Sequence, residues 1–98
     1  MATYPWLSLS EIKKYEPEME RLGVSKVARS PRGFLTWYKR DSTSQGRRTI
    51  KGLADFVRWR NRRRGFIARH LVQYRKNPTY RRWLALVAWA YRPDRRFG

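Results

Sequence analysis

Residues 77–91 read Asn-Pro-Thr-Tyr-Arg-Arg-Trp-Leu-Ala-Leu-Val-Ala-Trp-Ala-Tyr. From Trp83 to Tyr91 every residue is apolar or aromatic, so a helix built from this run is hydrophobic on all sides and must be wrapped by protein. The run is nine residues long, too short for a bilayer, which needs about 20. Asn77 can cap the helix, Pro78 suits its first position, where a missing N–H costs nothing, and Pro93 marks its far end. The expected fold is all-α: a compact small domain of four to five helices around this buried C-terminal helix.

The rest of the chain is consistent with one domain. A chain of 98 residues can bury about 60% or somewhat more of its unfolded surface, and 41% hydrophobic content with fifteen aromatics favours folding over a disordered polycation. Cysteine is absent, which removes disulfides and thiolate metal sites. The N-terminus has no basic stretch followed by an apolar run, so no secretory signal is expected, and early glutamates argue against a transit peptide. The layout reads as an acidic helical segment (1–23), a basic helical core (24–93) and a basic tail (94–98).

Charge is the strongest functional signal. There are 24 Lys and Arg against 7 Asp and Glu, a net charge of +17. Residues 1–22 hold Lys13, Lys14 and Arg21 against four glutamates, so the excess lies beyond them. No acidic residue occurs between Asp55 and Asp94, where eleven Arg or Lys fall. Self-repulsion at this density opposes compaction, and a polyanionic partner is the simplest reason for it.

Working back from the central run, Lys76-Asn77-Pro78 makes a tight turn. Before it, Leu53, Phe56, Val57, Arg60, Arg64, Ile67, Leu71 and Tyr74 form one helical stripe, with Trp59, Phe66 and His70 alongside. This predicts a helix from about Lys51 to Arg75, with a kink or break near Asn61–Gly65 because Gly65 costs about 1 kcal/mol there. Asp41–Thr49 is polar and aperiodic and should be the longest loop. Pro31–Arg40 is a helix with Phe34, Trp37 and Tyr38 inward, and Ser25 begins a turn too short to act as a recognition helix. Ser8 and Glu11 fit a capping box. Pro17 interrupts the helix that follows, and Gly23 closes it. The acidic segment either docks on a basic surface or simply complements helix ends. Arg32-Gly33-Phe34-Leu35 and Arg64-Gly65-Phe66-Ile67 echo each other as two glycines used for close packing.

Catalytic residues are scarce. His70 beside an apolar stripe reads as a packing residue, no paired carboxylates suggest a magnesium site, and no phosphate loop, zinc spacing or nucleophile motif occurs. The expectation is no enzyme and no cofactor. Binding residues are plentiful: Arg58, Arg60, Arg62, Arg63 and Arg64, then Arg69, Arg75, Lys76, Arg81 and Arg82, are the candidate phosphate ligands, because the guanidinium fork grips phosphate oxygens. On a helix they ring the axis, which suits sequence-independent neutralisation. Arg75, Lys76, Arg81 and Arg82 form the most localised site, at a helix start that already favours anions. Trp59 can stack on an exposed base or belong to the core. Membrane-surface binding ranks below both nucleic acid and assembly with protein, because arginine interrupts the apolar stripes instead of flanking them.

Val24–Ser30, Gly33-Phe34-Leu35 with Tyr38, Gly65–His70, Asn77–Arg82, Leu84-Ala85-Leu86 and Trp89–Pro93 together resemble a small basic module in uncharacterised proteins of large double-stranded DNA viruses of algae and some phages. The resemblance covers about residues 24–93 and implies a viral setting, with DNA favoured over RNA and location in a virion or an intracellular nucleoprotein. The expected function is a non-enzymatic, largely sequence-independent nucleic-acid-binding protein. The alternative is a structural component that meets capsid or other assembly proteins, as in a virion or an organellar ribosome.

Overall fold

Where each helix starts and stops is set by a few capping groups. The computed structural model describes residues 4–43 and 50–98. Within them lie α1 (Leu9–Leu22), α2 (Lys26–Arg29), α3 (Phe34–Thr43), α4 (Ile50–Lys76) and α5 (Tyr80–Ala88), and the described residues include no strand. The fold is all-α, as expected. Four of the segments are helices of at least nine residues, and α2 is a single turn.

Helix α1 opens on Ser8, whose Oγ accepts the Glu11 N–H at 3.3 Å. It runs unbroken through Pro17, contrary to the interruption expected there. Lys13 and Pro17 are both exposed, so water can serve the carbonyl that the proline leaves without a donor. The helix closes at Gly23, which takes the left-handed conformation at φ 65°. That turn lets the Gly23 N–H reach Glu20 O at 3.2 Å and the Val24 N–H reach Met19 O at 2.8 Å.

Helix α3 begins at Phe34, three residues later than Pro31, because Ser30–Gly33 forms a turn. Gly33 N donates to Ser30 O at 2.9 Å, and Thr36 Oγ1 donates to the same carbonyl at 2.7 Å. Gly33 is required here: a Cβ would sit 2.1 Å from Val27 O. Gly65 is different, since a Cβ there would meet nothing nearer than Arg69 Nη1 at 3.5 Å, so the two glycines do not share a packing role. Helix α3 reaches Thr43, which takes the first residues of the expected loop, and 44–49 lie outside the described residues. Helix α4 is continuous through Asn61–Gly65, with no break. Its 27 residues rise about 40 Å, matching the molecule's longest dimension of 41 Å.

Helix α5 is the hub: α1 and α4 both pack on it, while α3 packs on α4 and α2. Trp83, Leu84, Leu86, Val87 and Ala88 are buried, each of the larger side chains contributing about 1.5–3 kcal/mol. Its cap is Thr79, whose Oγ1 accepts the Arg82 N–H at 3.2 Å. Asn77 instead offers its carbonyl to Arg82 Nη1 at 2.9 Å, so Pro78 stands before the helix and not in its first turn. The helix stops at Ala88, short of Pro93, because Ala90 turns left-handed at φ 61°. The Tyr91 N–H then reaches Leu86 O at 3.1 Å, and the Ala90 N–H reaches Val87 O at 2.9 Å. The last residues fold back. Trp83 Nε1 donates to Asp94 O at 3.1 Å, and Tyr74 Oη donates to the Asp94 carboxylate at 2.9 Å. Among the described residues, no helix is long and apolar enough to cross a membrane.

Candidate nucleic-acid interface

Helix α4 carries most of the candidate phosphate ligands, and its rotational setting decides which of them face solvent. Trp59, Arg63, Ile67, Leu71 and Tyr74 are buried, while Leu53, Val57 and Val72 are exposed. The inward stripe is therefore turned from the one expected, and the arginine within it is Arg63. Arg60 and Arg64 are exposed.

Arg63 is 3% exposed and does not belong among the phosphate ligands. Its Nε donates to Trp89 O at 2.8 Å, its Nη1 to Tyr4 O at 3.0 Å, and its Nη2 to Pro5 O at 2.9 Å and Ala90 O at 2.8 Å. The guanidinium also lies 4.0 Å from the Trp6 ring centroid. These carbonyls include the C-terminal end of α5, where the helix dipole favours a cation. Burial pulls the Arg63 pKa down to about 10, which leaves it charged at neutral pH. Trp59 is likewise unavailable for base stacking: it is 7% exposed, near Phe34, Trp37 and Trp89. Arg58 and Arg62 each hold a guanidinium 5.4 Å from its ring centroid.

The other candidate cations of α4, from Arg58 to Lys76, are exposed, and they are more ordered than a ring around the axis. Arg58, Arg62, Arg69 and Lys76 follow one another at intervals of four, seven and seven residues. At about 100° per residue they fall within some 40° of one another, and the row extends about 27 Å. Arg60, Arg64 and Arg75 lie off this row, on the other flank. Arg58 is 3.4 Å from Asp55. Arg62, Arg69 and Lys76 have no acidic partner among the described residues.

The row runs beside an open cleft of about 630 Å³ lined by Phe66, His70, Arg81, Arg82, Ala85 and the Gly23–Ser25 corner. Arg81 Nη1 donates to Leu22 O at 2.6 Å, which ties the start of α5 to the end of α1. Of the expected corner of Arg75, Lys76, Arg81 and Arg82, two members, Arg81 and Arg82, line the cleft; Arg75 and Lys76 are exposed at the end of α4. His70 stacks on Phe66 with centroids 3.9 Å apart. Burial, and then the neighbouring Arg69, hold its pKa below the ordinary value of 6.5, so it is neutral at pH 7.

Three of the four acidic side chains of α1 are engaged within the chain. Glu16 meets Lys39 at 2.8 Å, Glu11 meets Arg92 at 2.9 Å, and Glu18 accepts from Arg21 and from Tyr80 Oη. They bind the protein's own cations and, among the described residues, none of them pairs with the α4 row. Among the described residues, no group of three or more His, Cys, Asp and Glu could hold a metal. No family model, curated protein or solved structure matches the chain.

Proposed function

We propose that this chain is a non-enzymatic nucleic-acid-binding protein that grips the phosphate backbone with little regard to sequence, within a virion or an intracellular nucleoprotein. The observation that carries the reading is the row Arg58, Arg62, Arg69 and Lys76 along one face of α4, in a stretch with no acidic residue from 56 to 93. Arginine forks on one face suit successive phosphates. The α4 row includes no Asn, so nothing on it reads bases by the usual bidentate pairing to adenine. The viral setting and the choice of DNA over RNA rest on the motif resemblance alone.

The test is a salt titration of binding to two duplexes of unrelated sequence, followed by fluorescence anisotropy. Affinity for both should fall steeply and alike, with about 0.9 log units lost per log unit of salt for each phosphate contacted. The double substitution Arg62→Gln with Arg69→Gln should lower that slope by about two. Salt-insensitive binding, or binding to one sequence only, would refute the proposal. A second reading, a component that docks on assembly proteins, is favoured by Leu53 and Val57, which are 54% and 37% exposed one turn apart on α4. Capture of assembly proteins unchanged by Leu53→Ser and Val57→Ser counts against it.

A further inference from the structure

Four rings form a column from the core to the cleft. Phe34 stacks on Trp89 at 4.8 Å and 24°, Trp89 on Phe66 at 4.7 Å and 21°, and Phe66 on His70 at 3.9 Å and 22°. Each inner ring is used on both faces. His70 ends the column with one face stacked, in the wall of the cleft, and among the described residues no further ring covers it. We propose that this cleft binds one unpaired nucleotide, its base continuing the column on His70 and its phosphate held by Arg81 and Arg82. The inference rests on the nucleic-acid reading and adds to it a preference for strand ends, single strands or extruded nucleotides.

The dimensions and chemistry agree. Small-molecule clefts span about 300–1,000 Å³, and this one is about 630 Å³. Its lining combines the His70 ring and the apolar Val24 and Ala85 with two guanidiniums. Arg81 and Arg82 are each tethered through one Nη to a backbone carbonyl. A guanidinium carries five N–H donors, so each retains several for an anion. The N-terminus of α5 is not itself the anion site, because the Thr79 hydroxyl already accepts the Arg82 N–H. Stacking on a ring tolerates any base, in keeping with the proposed indifference to sequence. A paired base has both faces covered inside the duplex, so only an unpaired one can enter.

The full chain is tested against a blunt DNA hairpin and the same hairpin with a two-nucleotide overhang. The overhang should tighten binding about tenfold, the scale of one base on one ring. Ala85→Trp fills the cleft without changing charge and should abolish that gain while leaving blunt-hairpin affinity unaltered. His70→Ala, which shortens the column, should do the same and serves if the tryptophan variant misfolds. Adenosine monophosphate should shift the His70 ring resonances in NMR, whereas inorganic phosphate should move arginine resonances and leave those of the His70 ring in place. Equal affinity for both hairpins, or a gain that survives both substitutions, overturns the inference while the backbone-binding reading stands. Loss of all hairpin binding overturns both. Tight binding of free adenosine monophosphate with no gain from the overhang would assign the cleft to a free nucleotide and overturn its link to strands.

Discussion

Arg63 sits where four backbone carbonyls converge, and of these the Ala90 carbonyl also accepts the Leu7 N–H at 2.7 Å. A buried acceptor without a donor costs about 1–3 kcal/mol, so the side chain is fixed by what it satisfies. Arg63→Met keeps similar bulk and takes the guanidinium donors from the carbonyls of Tyr4, Pro5 and Trp89; it should lower stability by about 3–5 kcal/mol, a large part of the total of a small domain. Arg62→Gln, one residue away and exposed, should change stability by no more than about 0.5 kcal/mol. Urea unfolding of the two variants separates the roles. The sequence presents five arginines in seven positions with nothing in their type to tell them apart. The spacing does distinguish them: Trp59, Arg63, Ile67 and Leu71 recur every fourth residue, whereas including Leu53 and Val57 in the inward stripe drew attention to Arg60 and Arg64.

At the level of single elements, the two glycines of the Arg-Gly-Phe echo make opposite predictions. Gly33→Ala places a methyl against Val27 O and forces the α2–α3 turn apart, with an expected loss of about 1–3 kcal/mol. Gly65→Ala meets only the flexible end of Arg69 and should raise stability by about 0.8–1 kcal/mol, the helix propensity difference. Thermal melts of both variants check the pair. The existence and order of the helices were legible because hydrophobic spacing is a strong signal over about nine residues or more, as in α4 and α5. Their ends were less so. Thr79 and Asn77 are equally good caps by type, and the structure selects Thr79. Nor does an alanine announce a left-handed turn, so the stop at Ala90 was hidden inside an apolar run that reads as continuous helix.

Over the whole molecule, charge is partitioned. Glu11, Glu16 and Glu18 of α1 are spent on internal pairs, and Arg62, Arg69 and Lys76 of the α4 row keep their charge for a partner. This division predicts two separate acid transitions. Burial and Arg69 hold the folded His70 pKa below 6.5, and Arg81 and Arg82 face the same cleft, so the unfolded chain takes up this proton first. Stability should therefore fall as pH drops below about 6.5. The Glu11 carboxylate is held below its ordinary 4.5 by Lys14 and Arg92, and that of Glu18 by Arg21. Their contribution is present above 4.5 and is lost as pH falls through the depressed folded values. Melting temperature followed from pH 7.5 to 3 at constant ionic strength should decline in these two stages. His70→Gln should flatten only the first, and Glu11→Gln only the second. The basic character of the candidate site was plain in the sequence, but the cleft was not, because it is assembled from the end of α1, the middle of α4 and the start of α5.

The acceptors of Arg63 also impose an order on the making of the protein. Tyr4 and Pro5 lie 59 and 58 positions before it, and Trp89 and Ala90 lie 26 and 27 after it. During vectorial synthesis Tyr4 and Pro5 emerge before the arginine, but the other two acceptors emerge only after it. Closing loops of these lengths yields little until the final contact forms. A nascent chain that has not passed Ala90 therefore holds a charged side chain at the centre of its unfinished core, and commitment to the native state should come only once Ala90 has left the ribosome.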